Sequence, residues 1–360
     1  MSAIILHDYF KYMEGGGRLC LILAEAIKAD LGYGFKARNH PFFGEYKLSG
    51  KQYDLGVSGS IPGLRNIRLI QSFKRTYSIL KRFETAVYSG FYAPVAVNNH
   101  PDGKNIYYCH TPPRYIYDQH EFYLARAAFW QRPLIKALAA YHKPLYEDAL
   151  HKMTSILTNS ENVKARIKSY LGLDSIVVYP PCSLDKFSFL GQENYYLSMA
   201  RLDPLKRVDK IVRAFKDMPD KHLVVVSGGV ESDRIKRLAE DSANIRIFGW
   251  VTEKQLIELI GNCIATIYIA KDEDFGMSPI ESMAAGKPVI GTCEGGLKET
   301  ILDGETGILL RADPTISDIQ TAVKKMTPQQ AWHMRMACHD RASFFSKEKF
   351  LSRMKQIINN

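Results

Sequence analysis

"CIATIYIAKDEDFGMSPIESMAAGKPVIGT" (263–292) runs from one apolar stretch, through an acidic loop with a glycine, to a second apolar stretch. The two apolar runs, 263–270 and 288–292, are short and do not alternate, as parallel strands buried on both faces require. "SPIESMAAG" between them opens like a helix. Ser278 is the expected N-cap, Pro279 the first helical position and Glu281 the residue three after the cap, which together make a capping box. "KDEDFGM" (271–277) is then the loop at the carboxyl end of the first strand, and the whole stretch is a strand–helix–strand unit of a parallel sheet.

The same rhythm extends outward. "YYLSMA" (195–200), "HLVVVSGG" (222–229) and "NIRIFG" (244–249) read as strands, with amphipathic helices at "RVDKIVRAFKDM" (207–218) and "TEKQLIELIGN" (252–262). In the first half, "AIILH" (3–7), "TAVYSG" (85–90), "NIYYCH" (105–110) and "SILTNS" (155–160) are strands of the same buried type. The double proline in "VVYPPCSLDKF" (177–187) marks a linker. The expected organisation is a Rossmann-like domain over 1–176, the linker over 177–187 and a second Rossmann-like domain over 188–344. A helix over 345–360, capped by Ser346, is left to pack on either domain. Two doubly wound α/β domains are expected to face a common cleft with the carboxyl ends of their strands, where ligands of such folds bind.

Composition bounds what such a chain does. At 360 residues, with 46% hydrophobic and 24% charged residues, it is globular and long enough for two domains. "MSAIILHDYF" has neither the basic start nor the apolar core of a signal peptide, and no apolar run is long enough to span a bilayer, so a cytoplasmic protein is expected. The six cysteines are all at least 30 positions apart, which argues against a Cys-x-x-Cys metal site and predicts reduced, buried thiols.

The net charge of +10 is unevenly distributed: Lys and Arg number 23 against 14 acids over 1–175, and 25 against 24 over 176–360. The densest cationic stretch is "LRNIRLIQSFKRTYSILKRF" (64–83), with Arg65, Arg68, Lys74, Arg75, Lys81 and Arg82 and no acid. Its apolar residues Leu64, Ile67, Ile70, Tyr77, Leu80 and Phe83 recur at helical spacing. Two readings stand: a basic face that meets anionic lipid or a phosphorylated acceptor, and a core-packing helix with a solvated basic side. The charge forms no stripe of the kind nucleic acid demands, so no nucleic-acid partner is expected.

Arg201 and Lys206, in "RLDPLKR" after the strand at 195–200, stand near a helix start, where cations and backbone N–H groups together suit a diphosphate. Glu273 and Glu281 flank the helix start at 278, on either side of a Phe-Gly turn that lets backbone amides come close to a ligand. For Glu281 the capping box offers a purely structural role. The pattern fits a ligand with hydroxyls at both ends and a diphosphate between them, such as a nucleotide sugar.

The Glu, seven residues, Glu spacing of "EDFGMSPIE", followed by "SMAAGKPVIGT" and "GGLKETILDGETGILL", resembles the signature of the family 4 retaining glycosyltransferases of GT-B fold. "ARLDPLKRVD" (200–209) and "EGGGR" (14–18) fit the same family. The resemblance implies that Arg201 and Lys206 neutralise the donor diphosphate and that Glu281 binds the ribose. It assigns Glu273 and the amides of Phe275, Gly276, Met277 and Ser278 to the donor sugar. Gly15, Gly16 and Gly17 would form a close-approach loop, and His110 would face the sugar. It further implies a front-face retaining reaction with no metal and no other cofactor, although "DED" (272–274) formally matches an Asp-x-Asp metal motif. "CHTPPRYIYD" (109–118) resembles bacterial O-antigen and exopolysaccharide mannosyltransferases. That points to GDP-mannose as donor, a lipid-linked oligosaccharide as acceptor and a peripheral place on the inner leaflet. A UDP-sugar donor, a nucleotide-sugar 2-epimerase and a non-catalytic nucleotide-binding protein stay open. An NAD enzyme is disfavoured, because no G-x-G-x-x-G follows a strand.

Overall fold

In the computed structural model, which describes residues 2–11, 15–38, 40, 42–59 and 62–360, the chain divides into two units, Met1–Pro180 with Leu351–Asn360, and Pro181–Phe350. Each is built on one wholly parallel sheet. The first has β1 (Ala3–His7), β2 (Asp30–Tyr33), β3 (Gln52–Asp54), β4 (Thr85–Ser89), β5 (Lys104–Cys109), β6 (Ser155–Thr158) and β7 (Ile176–Val177), in the order β3-β2-β1-β4-β5-β6-β7. The second has β8 (Tyr196–Ser198), β9 (Leu223–Val226), β10 (Ile245–Gly249), β11 (Thr266–Tyr268), β12 (Val289–Thr292) and β13 (Gly307–Leu310), in the order β10-β9-β8-β11-β12-β13.

The central strands are buried on both faces because their residues are apolar without alternation. Ile4, Ile5 and Leu6 of β1 and Ile106, Tyr107 and Tyr108 of β5 are all inaccessible to solvent, as are Leu197 of β8 and Val289 and Ile290 of β12. The buried tyrosines bring polar hydroxyls with them, and each is satisfied. Tyr88 donates to Asn105 Oδ1 at 2.8 Å, Tyr107 to the Gly90 carbonyl at 2.9 Å and Tyr108 to the Val178 carbonyl at 2.7 Å.

The strands that the sequence leaves unassigned, β2, β3, β7 and β13, lie at or next to sheet edges. "DLGY", "QYD" and "IV" are too short, too polar or too glycine-containing to stand out by hydrophobicity alone. The stretch expected as linker, 177–187, does contain the division, together with some regular structure. Val177 belongs to β7, Cys182 bridges to Ser346 and 184–186 form a 3-10 turn. The division falls between Pro180 and Pro181. The last helix runs Lys347–Asn359, with the Lys349 N–H reaching Ser346 Oγ at 3.4 Å. Lys104 Nζ donates to the carbonyls of Ile357 (2.7 Å) and Ile358 (3.1 Å), which places a cation on a helix carboxyl end and ties 351–360 to the first sheet.

The basic segment departs from a single helix. Pro62–Phe73 is one helix and Tyr77–Leu80 a separate turn, with the Thr76 hydroxyl bonding back to the Phe73 carbonyl at 2.8 Å. Leu69, Ile70, Phe73 and Leu80 form its buried side, while Leu64, Ile67 and Tyr77 are exposed. The break at 74–76 shifts the register, so the helical spacing of 64, 67, 70 and 77 does not describe one face. Arg65 stacks on the Phe35 ring and Arg68 donates to the Ser58 carbonyl, whereas Lys74, Arg75, Lys81 and Arg82 are exposed. The cysteines are all free thiols, and Cys293 is exposed, against the expectation of burial for all six.

Asp8, just past β1, is buried and accepts three backbone N–H groups, those of Phe91 (2.6 Å), Tyr92 (2.8 Å) and Ala93 (2.8 Å). A carboxylate in this role organises the turn that follows β4. Asp8→Ala leaves three buried donors without this acceptor and is expected to destabilise the first unit by about 2–5 kcal/mol, read as a lower urea midpoint with the slope unchanged.

Candidate functional site

In the second unit, the polar side chains gather where β8 and β11 end. Past β8 the chain forms a 3-10 turn, Pro204–Lys206, held by Asp203 Oδ1, which accepts from the Leu205 N–H at 3.0 Å. That turn aims Lys206 at β11 and its loop. Lys206 Nζ lies 2.5 Å from Glu273 Oε2 and 3.1 Å from the Tyr268 hydroxyl, and Tyr268 donates to the same carboxylate oxygen at 2.8 Å. Burial works against the lysine's charge, but Tyr268 and Glu273 outweigh it and hold the ammonium well above its ordinary value. Burial, with Glu273 beside it, raises the Tyr268 phenol likewise. At neutral pH the cluster is therefore ammonium, carboxylate and neutral phenol. It fixes the orientation of a carboxylate at a sheet's carboxyl edge and puts a cation beside it.

Arg201 is exposed and makes no ion pair among the described residues. The neighbouring Arg207 does something else. With φ +53 it turns the chain into the helix Val208–Lys216, and its guanidinium is committed to Glu294 (2.7 Å) and the Ala312 carbonyl (2.6 Å).

The helix after the acidic loop starts earlier than the sequence suggests. It runs Met277–Ala284, with Gly276 (φ +96) as N-cap. Ser278 and Pro279 are therefore inside the first turn and Glu281 lies in the second, so the expected capping box does not form. A glycine at positive φ reverses the chain without a side-chain cap. The loop 272–276 rests on "EGG" (294–296). The Gly296 N–H donates to the Glu273 carbonyl at 2.8 Å, and a Cβ on Gly295 would lie 2.4 Å from that carbonyl oxygen. Phe275 is buried against Phe345. Among the described residues no three His, Cys, Asp or Glu side chains are placed to hold a metal ion, Asp272–Asp274 included.

In the first unit, the equivalent edge carries a second cluster. His7 ends β1, Ser89 ends β4, and His110 follows β5. His7 Nδ1 is 3.1 Å from Ser89 Oγ, and Ser89 Oγ is 2.9 Å from His110 Nε2. One hydroxyl proton serves both contacts only if the two neutral imidazoles take complementary tautomers, so the three groups form a directional hydrogen-bond chain. Gly15–Gly17, expected as a loop, are the first turn of the helix Gly15–Ile27. A Cβ on Gly16 would come 3.0 Å from His110 Nε2, and one on Gly17 3.2 Å from the Phe10 ring. Bare glycines let the helix's amino end sit directly against the histidine.

Sequence reasoning named Lys206, Glu273 and His110 but missed Tyr268, Ser89 and His7. Their signal was positional. Each is the last residue of its strand. A separate cavity of about 470 Å³ in the second unit, lined by Phe187, Phe189, Arg335 and His339 among others, includes none of these groups.

Residues 184–342 match the family described as Glycosyl transferases group 1. Among curated relatives, the Alpha-1,3/1,6-mannosyltransferase ALG2 of Dictyostelium discoideum is 29% identical over 38% of this chain and 38% of its own length. The chain spans about 38–47% of the length of the first such relatives it matches. Among solved structures, the sucrose-phosphate synthase from Thermosynechococcus elongatus superposes with a TM-score of 0.81 at 16% identity, over 99% of this chain and 98% of that one. Anabaena Alr3699/HepE, solved in complex with UDP and glucose, superposes with a TM-score of 0.73 at 14% identity, each chain covered completely.

Burial holds the His7 imidazole at about 3, with His110 beside it adding to the effect, and holds His110 at about 4, against an ordinary value near 6.5. Both are neutral in the fold, and in the unfolded chain both bind protons near pH 6.5. Stability is therefore full above that pH and lost as the pH falls towards 4 and then 3, by at most about 1.4 kcal/mol per pH unit for each histidine. Urea unfolding at pH 6.5, 5.5 and 5.0 is expected to show this slope, and His7→Gln with His110→Gln to flatten it whatever their effect at neutral pH.

Proposed function

From the premise that residues 184–342 form a group 1 glycosyltransferase domain within a chain of GT-B fold, we propose that this protein is a retaining glycosyltransferase. Its proposed reaction moves mannose from GDP-mannose to a lipid-linked oligosaccharide in cell-surface polysaccharide assembly. The observation that carries the reading is the Lys206–Glu273–Tyr268 cluster at the carboxyl edge of the second sheet. A cation beside an oriented carboxylate suits a ligand in which a diphosphate adjoins a hydroxyl-rich sugar. Mannose as the sugar is supported by the mannosyltransferase ALG2 among the relatives, and a nucleotide sugar by the neighbour solved with UDP and glucose.

The chemistry follows from charge. Cleavage of the bond between sugar C1 and the diphosphate oxygen leaves negative charge on the departing nucleoside diphosphate. Arg201 and Lys206 are assigned to that charge, and preorganised cations at such a site stabilise it without reorganising. The acceptor hydroxyl forms its bond to C1 on the face the diphosphate leaves, and its proton passes to the departing phosphate oxygen. Glu273 is assigned to the sugar hydroxyls, with Phe275, Gly276, Met277 and Ser278 beside it, Glu281 to the ribose and His110 to the sugar. No metal or other cofactor enters the scheme. The exposed Lys74, Arg75, Lys81 and Arg82 are assigned to an anionic acceptor surface on the inner leaflet.

Calorimetry with GDP-mannose, UDP-glucose, UDP-N-acetylglucosamine, GDP, UDP and NAD, with EDTA present, tests the reading. Binding of GDP-mannose and GDP is expected, weakened about tenfold or more in Arg201→Ala. In turnover assays Glu273→Ala is expected to lower kcat by about a hundredfold. Preference for a UDP-sugar would replace the donor, consumption of donor without acceptor would favour an epimerase, and binding of none of the nucleotides would overturn the assignment.

A further inference from the structure

The helix His120–Arg126, a short 3-10 turn at Phe129–Gln131 and the start of the long helix Arg132–His151 form a projection on the first unit. Phe129 is 82% exposed, Trp130 59%, Leu134 56% and Tyr123 44%. Leu138 and Ala139 are the first residues of the long helix to be buried, so its first turn and a half stands off the core. The projection is built rather than loose. Ala127 and Ala128 are extended, the Ala128 N–H donates to Gln131 Oε1 at 3.2 Å, Arg132 Nε reaches the Ala127 carbonyl, and Pro133 sits at the start of the helix.

Water-exposed Phe, Trp, Tyr and Leu within one projection are a concentration that ordinary surfaces avoid. Arg126, Arg132 and Lys136 are exposed beside them, and Glu121 is the only acid among residues 120–136. The helix Pro62–Phe73 packs against the same long helix, with Gln71 Nε2 donating to the Tyr141 hydroxyl at 2.6 Å, and the exposed cations Lys74 and Arg75 follow directly after it.

We propose that the projection 123–136 is a membrane-docking wedge, in which Phe129, Trp130 and Leu134 enter the headgroup boundary of an anionic bilayer and Arg126, Arg132 and Lys136 contact its phosphates. An aromatic ring with cations on its flanks matches that boundary, where apolar carbon meets a layer of negative charge. The charge excess selects an anionic lipid surface over a second copy of this chain, which carries the same positive charge on the same patch and so repels itself. The wedge deepens the lipid-linked acceptor reading and rests on it only for its biological purpose, because vesicle binding is measured without donor or acceptor.

Co-sedimentation with vesicles of phosphatidylcholine and phosphatidylglycerol, against phosphatidylcholine alone, tests it. The full chain is expected to bind the anionic vesicles, and Phe129→Ser with Trp130→Ser to weaken binding by about tenfold or more. Arg126→Ser with Arg132→Ser and Lys136→Ser is expected to weaken the preference for anionic lipid by about tenfold or more. In a Trp250→Phe, Trp332→Phe background Trp130 is the sole tryptophan, and its emission is expected to shift to the blue on anionic vesicles. GDP-mannose binding is expected to be unchanged in the wedge variants, so its loss in the parent chain would sink the donor reading and leave the wedge standing. Parent-like vesicle binding by the serine variants overturns the wedge, as does the absence of binding by the parent. A lipid-free dimer that the same substitutions dissociate would overturn it in favour of a second copy.

Discussion

A parallel sheet buried on both faces has room for polar chemistry at one place above all, the loops that leave the carboxyl ends of its strands. Both sheets of this chain obey that constraint. Interior positions of β1, β4, β5, β8 and β11 are mostly apolar, and polar ones such as Tyr88, Asn105, Tyr108 and Thr266 are hydrogen-bonded, although the buried Thr85 hydroxyl finds no partner among the described residues. At the ends of those same strands the composition changes abruptly, to His7, Ser89 and His110 in one unit and to Arg201, Lys206, Tyr268 and Glu273 in the other. Neighbouring strands in register bring residues far apart in sequence side by side: His7 pairs with Ser89 across 82 positions.

Within the second cluster, the ion pair between Lys206 and Glu273 has an orienting role more than a stabilising one. Partly buried ion pairs return little net stability, since desolvation offsets attraction. What the pair does is keep one carboxylate pointed in one direction beside one cation. The adjacent Arg207 shows the alternative use of a buried cation, fully committed to Glu294 and a backbone carbonyl and so part of the scaffold. Two consecutive basic residues thus do opposite jobs, because the second, Arg207, is itself left-handed between the 3-10 turn and the helix and so points its side chain elsewhere.

Close approach is the other recurring device. Gly295 and Gly296 allow the loop that carries Glu273 to lie directly on the next crossover, and Gly16 allows a helix's amino end to meet His110. In each case a side chain would occupy the space that positions a polar group. The glycines set distances that hydrogen bonds then hold.

The sequence alone determined the architecture, because uninterrupted apolar runs separated by amphipathic stretches are compatible with few folds. The central strands, the loop at 271–277 and the candidates Lys206, Glu273 and His110 were legible for that reason. The edge strands β3, β7 and β13 were not, since a strand paired on one side needs little hydrophobicity, and neither was β2 beside β3, a short run broken by a glycine. The capping box at Ser278 and the continuous helix over 64–83 read plausibly from local pattern and were decided otherwise by the turn at Gly276 and the break at Thr76. Only the tertiary structure brought Tyr268 to Lys206 and Glu273, linked His7 through Ser89 to His110, and left Phe129 and Trp130 in water. Local sequence encodes which residues prefer to be buried or helical, but strand order and packing decide which side chains meet and which apolar ones find no partner.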